Sequence, residues 1–183
     1  YEGKYVYILN ALDIKKTFSK LRNNLKELSL AQYFCQLCLN LKPETYVSGE
    51  VLRVFLNCLH YLICKTKDIL LLKSIFEMRI CSLCGYMPHL VSCDECKSYE
   101  SEIMNFSIGD GKIFCRNCTS QGNSLIAINS SVLSALRYIV YSSIENLFNF
   151  SISLETQKSL NLITEKYIKY HVSDNFKSLE FFY

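Results

Sequence analysis

Glycine and proline are scarce, with six and two copies in 183 residues, and no low-complexity or long polar tract interrupts the chain. That scarcity argues against disorder and against a loop-rich scaffold, because hydrophobic residues make up 50% of the sequence and supply ample material for a core. Long apolar runs are also missing. The most apolar stretch, from Ile69 to Ile80, is broken by Lys73 and Glu77, with Arg79 just before its end. It falls well short of the ~20 apolar residues needed to span a bilayer, so no membrane segment is expected. Charge of one sign is lacking too: the net charge is only +3, and any surface for a polyanion must be local. Neither an H-x-E nor an H-E-x-x-H pattern occurs, which removes the usual sequence marks of a zinc hydrolase or a nucleobase deaminase. No enzyme is expected.

What is present is helical periodicity. Asn24 and Glu27 form an N-x-x-E capping pattern, and apolar residues at Leu25, Leu28, Cys35, Cys38 and Leu39 predict a helix ending before Pro43. A second helix is predicted over about 49–64, with Leu52, Phe55, Leu59 and Leu62 on its stripe. A third, from Asp68 to Tyr86, is apolar nearly all round, the pattern of a central buried helix. Past Pro88 the texture changes. Gly109-Asp110-Gly111 between Asn105–Ile108 and Lys112–Phe114 is a hairpin signal. Helical patterning then resumes, with Ser130 or Ser131 capping a helix that carries Leu133, Leu136, Val140, Ile144 and Leu147. Ser153 starts another with Leu160, Ile163, Tyr167 and Tyr170. The expected fold class is mainly α: a helical bundle domain with an inserted small β-hairpin, zinc-ribbon-like lobe. The insert spans residues 89–122, with the two parts of the helical domain at 13–88 and 123–183.

Ten cysteines would allow five disulfides, but six lie in helix-like apolar segments and the other four form two CxxC pairs, which fits a reducing cytoplasm better. Cys93-x2-Cys96-x18-Cys115-x2-Cys118 supplies four thiolates in two tight pairs, as tetrahedral Zn²⁺ requires, and the hairpin between them folds the chain so that both pairs meet. Four protein ligands leave no open position for water, so one structural zinc is expected. Redox catalysis by CxxC needs a strand leading into a helix that bears the motif, and neither pair has that setting. Cys81-x2-Cys84-Gly85 competes for the metal, since a quartet with Cys93 and Cys96 is conceivable. These two residues continue an apolar helix and are read as packing residues, as are Cys35 and Cys38. Cys58 and Cys64 are read as small core residues. His89 lies four residues before Cys93, but the thiolates complete the shell without it. His60 and His171 sit in helical patterns with no Cys or carboxylate expected nearby. A local excess of cations at Lys15, Lys16, Lys20, Arg22 and Lys26, set against Asp13 and Glu27, is a candidate phosphate-contacting surface; a solvated helix face is the plainer reading. The 13 Tyr and 11 Phe fall mostly on helical apolar stripes and are expected in the core rather than stacked on bases.

Phe76-Glu77-Met78-Arg79, then Gly85-Tyr86-Met87-Pro88, then the two CxxC pairs, resemble the C-terminal part of the RecO family of bacterial DNA-repair proteins. Lys166-Tyr167-Ile168-Lys169-Tyr170-His171 followed by Phe176-Lys177-Ser178-Leu179 resembles that family's closing segment, and Tyr7-Ile8-Leu9 resembles the exit from its N-terminal OB-fold. The chain opens at Tyr1 rather than Met and is expected to be a piece of a longer protein, with residues 1–12 holding the last strand of an OB-fold otherwise missing. The resemblance places zinc at Cys93, Cys96, Cys115 and Cys118, and ordinary helical residues where Cys81 and Cys84 stand. It implies a recombination mediator in the bacterial cytoplasm at the nucleoid. Such a protein binds single- and double-stranded DNA, anneals strands, and works with RecR and the C-terminal tail of single-stranded-DNA-binding protein to load recombinase. The competing reading is a zinc-ribbon module that binds only protein.

Overall fold

The computed structural model describes residues 10–101, 103–118, 125–172 and 176–182. The strand-like run from Lys4 to Leu9 lies outside them, and residues 10–18 carry no regular structure. A 3-10 turn at Ser19–Asn23 leads into α1 (Leu25–Leu41), followed by α2 (Ser48–Cys64) and α3 (Ile69–Leu83). Strands β1 (Ile103–Ser107), β2 (Lys112–Cys115) and β3 (Leu125–Asn129) precede α4 (Ser130–Tyr141) and α5 (Leu154–His171), and a 3-10 turn at Lys177–Phe181 packs back on α1. The fold is mainly helical with a small three-stranded sheet, as expected.

Four of the five described α-helices start at a side-chain cap, α2 being the exception. The Asn24 side chain accepts from the backbone N–H of Lys26 and Glu27 at 3.0 and 3.4 Å, satisfying two of the donors that a helix leaves open at its first turn. Asp68 does the same for Leu70 at 2.8 Å and Ser153 for Thr156 at 3.2 Å. For α4 the cap is Asn129, which accepts from Val132 at 2.9 Å, one residue ahead of the serines expected to do so. α3 ends earlier than Tyr86: Gly85 takes φ +94°, and the Tyr86 N–H reaches back to the Cys81 carbonyl at 2.9 Å, closing the helix.

α3 is the axis of the molecule, packed against α1, α2, α4 and α5, with every residue from Leu71 to Ser82 buried. Its all-round apolar pattern was a sound guide. The stripe of α1 faces another direction than expected, and that of α2 differs only in part, since Leu59 and Leu62 are buried and Phe55 packs against the core. In α1 the buried face is Leu30, Tyr33, Phe34 and Leu37, while Leu25, Cys35 and Leu39 are exposed. In α2 it is Val51, Val54, Cys58 and Leu62, with Leu59 beside them and Leu52 turned to solvent.

The hairpin forms as predicted, with Met104 opposite Cys115 and Ser107 opposite Lys112. Gly111 adopts φ +63°, and a Cβ there would stand 2.9 Å from the Tyr167 hydroxyl, so the turn requires glycine for both conformation and space. β3 was not anticipated. It pairs antiparallel with β1, giving the order β2-β1-β3, and runs directly into α4. One continuous hydrophobic core includes Phe34, Phe76 and Leu136 of the helices together with Leu90, Cys93, Met104 and Phe106 of the lobe.

Candidate metal centre

A tight turn, the end of β2 and a 3-10 turn bring the two CxxC pairs together. The first pair sits on a tight turn in which the Cys93 N–H donates to the Ser98 carbonyl at 2.8 Å and the Lys97 N–H donates to the Cys93 carbonyl at 3.0 Å, with Lys97 at φ +61°. The second pair begins at the last residue of β2, Cys115, and continues through a 3-10 turn at Arg116–Cys118. The Asp94 N–H donates to the Ile113 carbonyl at 2.9 Å, and Lys112 Nζ meets the Asp94 carboxylate at 2.9 Å, so the first turn is stitched to β2 itself.

The result is a compact quartet. The Sγ atoms of Cys93, Cys96, Cys115 and Cys118 all lie within 4.8 Å of one another, and Cys96 Sγ is 3.6 Å from Cys115 Sγ. A tetrahedron with Zn–S bonds of about 2.3 Å has edges of about 3.8 Å, so small adjustments bring all four onto one ion. The donor set also calls for a cation. Burial opposes ionisation of Cys93, yet N–H groups of Cys115, Cys96 and Glu95 and the Cys96 thiol bring it down to about 6. One of these bonds is a Cys115 N–H donating to Cys93 Sγ at 3.3 Å. Cys118, by contrast, is held up at about 12 by its bonds to the Cys115 and Cys96 thiols, with desolvation adding to them. Thiols this close do not all ionise unless a dication compensates them, which is what Zn²⁺ supplies to a four-cysteine shell. The cluster is compatible with one structural zinc.

None of the other cysteines joins this cluster. Burial pushes the thiols of Cys38, Cys58, Cys81 and Cys84 up, Cys38 to about 12, and it raises Cys35 as well. Cys81 is buried within α3 and Cys84 caps it, so neither joins the quartet. Two expectations need correction. Cys35 and Cys64 are exposed rather than packed in the core, because each falls on the outer face of its helix. His60 does have a sulfur neighbour, Cys64, at 3.7 Å one turn further along α2. His89 stays out of the cluster; its backbone N–H donates to the Gly111 carbonyl at 2.7 Å. His171 Nε2 lies 2.8 Å from the Ile108 carbonyl, holding α5 against the hairpin turn.

The family profile described as "Recombination protein O C terminal" matches residues 22–180. The chain belongs to the RecO family. It is similar to the DNA repair protein RecO of Acetivibrio thermocellus, 29% identical over 181 residues that cover 99% of this chain and 72% of the relative. Similarity to RecO of Alkaliphilus metalliredigens is 26% identity over 98% of this chain and 74% of the relative. For RecO of Clostridium kluyveri it is 27% over 98% and 69%. RecO proteins are non-catalytic mediators of DNA repair and recombination, and this chain is of that type. Among the described residues no helix is long and apolar enough to cross a membrane.

The five cations singled out in the sequence are all exposed. Lys15 and Lys16 lie in the irregular lead, Lys20 and Arg22 on the first 3-10 turn, and Lys26 in the first turn of α1. Lys15 pairs with Asp13 at 3.1 Å, which reduces what it offers a phosphate. Sequence reasoning missed Lys65. It caps α2 and lines a small cleft with Lys20, Asn23 and Asn24, where it meets Glu27 at 2.9 Å. Only the packing of α1 against α2 brings it there.

Proposed function

We propose that this chain is the helical and zinc-bearing part of a RecO-type mediator. In this reading it binds single- and double-stranded DNA, promotes strand annealing, and loads recombinase together with RecR and the C-terminal tail of single-stranded-DNA-binding protein. Its place is the bacterial cytoplasm, at the nucleoid. One Zn²⁺ held by Cys93, Cys96, Cys115 and Cys118 fixes the lobe at residues 89–122, with β3 extending its sheet, and residues 13–88 and 123–183 form the helical domain. The observation that carries this reading is the RecO match across residues 22–180. DNA contact is assigned to Lys15, Lys16, Lys20, Arg22 and Lys26, and their common exposure at the chain's entry into α1 supports it.

The test is DNA binding by fluorescence anisotropy across a salt series, with wild type against a Lys20→Ala/Arg22→Ala/Lys26→Ala variant. Each lost phosphate contact on duplex DNA lowers the slope of log affinity against log salt by about 0.9, so the triple variant is expected to bind more weakly with a slope shallower by about 2 to 3. An unchanged slope moves DNA contact elsewhere. The Asp13–Lys15 pair and the net charge of +3 favour one second reading, a zinc-ribbon module that binds protein without DNA. It predicts RecR binding with no salt-dependent DNA affinity in the wild type.

A further inference from the structure

Arg137 projects from α4 onto the segment that carries the first CxxC pair and places its donors on main-chain carbonyls there. Nε donates to Leu90 O at 2.7 Å, while Nη2 donates to Val91 O at 2.9 Å and Tyr99 O at 2.7 Å. The guanidinium carbon also lies 4.1 Å from the Tyr99 ring centroid, within cation–π range. These carbonyls occupy the two shoulders of the metal knuckle: Leu90 and Val91 run into Cys93, and Tyr99 follows Cys96 by three residues. The knuckle between them is already closed at its neck by the bond from the Cys93 N–H to the Ser98 carbonyl. One planar fork thus pins both ends of the metal loop to the helical domain. Tyr141, one helical turn on, adds a second tie: its hydroxyl accepts from the Leu90 N–H at 2.9 Å and donates to the Pro88 carbonyl at 3.2 Å.

We infer that Arg137 is a positioning residue for the zinc site, holding the Cys93–Cys96 knuckle against Cys115 and Cys118 and coupling metal occupancy to the docking of the lobe on α4. The inference rests on the zinc reading given above. It follows from linkage: the same ordered shoulders serve the metal and the arginine, so each stabilises the other's contact by the same factor. Groups that orient ligands from outside the coordination shell contribute about 10- to 100-fold to metal affinity. A cleft of about 530 Å³ between Tyr99 and Val91 on the lobe and Tyr138 and Tyr141 on α4 shares this wall.

The experiment uses the full chain and has two readouts: zinc affinity by competition with a chelating dye, and melting temperature with and without metal. Arg137→Ala is expected to weaken zinc by about tenfold or more and to narrow the gap between the metal-loaded and metal-free melts. Arg137→Lys keeps the charge but loses the fork, so its affinity should fall between those of wild type and the alanine variant. It also carries the test if the alanine variant does not fold. Val54→Ala, in the buried face of α2, is the control: it should lower both melts together and leave zinc affinity at the wild-type value. Wild-type zinc affinity in Arg137→Ala, or in Arg137→Lys where the alanine variant fails to fold, overturns the inference. A wild-type chain that takes no zinc sinks the metal reading and this inference with it. Zinc bound normally by wild type and by the arginine variants would leave the metal reading standing and this inference alone refuted.

Discussion

Lys73 and Glu77 stand one turn apart in the middle of α3, both fully removed from solvent, with Nζ 2.8 Å from Oε1. Such a pair persists only because its other valences are met. Tyr33 of α1 donates to Glu77 Oε1 at 2.6 Å, Thr164 of α5 donates to Oε2 at 2.6 Å, and Lys73 donates to Asn161 Oδ1 at 3.1 Å. Three helices are therefore keyed to one another by a polar knot inside an apolar core. Removing one member strands the other's charge, so Glu77→Ala is expected to cost about 3 to 5 kcal/mol in urea unfolding, whereas Lys73→Met/Glu77→Met should cost much less than the sum of its parts. An additive double variant would show that the two side chains act independently. In the sequence these charges read as interruptions of the apolar stretch from Ile69 to Ile80. Their burial was implicit in the same pattern, since a helix apolar on every side leaves its charges nowhere to go but inward. The partners Tyr33 and Thr164 were not legible, because they come from helices 44 and 87 residues away. Arg79 is also buried but only partly matched: Nη1 donates to the Val140 carbonyl at 2.6 Å, serving the open carbonyls at the end of α4, while Nε finds no partner among the described residues.

Helix starts were easier to find than helix faces or helix ends: α3 stops at Leu83 rather than Tyr86, and α4 stops at Tyr141, before Ile144 and Leu147. Caps are decided within four residues, so Asn24, Asp68 and Ser153 could be recognised from the chain alone. The buried face of α1 could not, and that of α2 only in part, because both helices carry apolar residues on more than one side and only the position of α3 selects among them. β3 escaped notice for a related reason. Leu125–Asn129 is short, sits against a helix start, and gains its meaning from pairing with β1 more than a dozen residues earlier. The chain also ends α1 and α2 with lysines in the left-handed conformation, Lys42 at φ +46° and Lys65 at φ +53°. For a residue with a Cβ that conformation costs about 1 kcal/mol or more, which glycine avoids. Lys42→Gly is therefore expected to raise the melting temperature by about 2 to 4 °C. A lower melting temperature would mean that the Lys42 side chain contributes more than its backbone costs.

At the scale of the molecule, the lobe is built into the helical domain rather than hung from it. Arg137 and Tyr141 of α4 hold the first knuckle, Tyr167 of α5 donates to the Tyr86 carbonyl at 3.2 Å, and His171 meets the hairpin turn. All four reach main-chain groups, which carry no residue identity, so no sequence pattern marks them. The cysteine quartet was legible for the opposite reason: ligand type and spacing are local rules, and the hairpin between the pairs could be read from three residues. In the proposed reading these four cysteines, and no others, hold one Zn²⁺ in a RecO-type domain. Native and denaturing mass spectrometry of the full chain tests it most directly. One zinc in the wild type and in Cys81→Ser, and none in Cys115→Ser, is the result expected. A wild type without zinc, or zinc lost in Cys81→Ser while kept in Cys115→Ser, would contradict it.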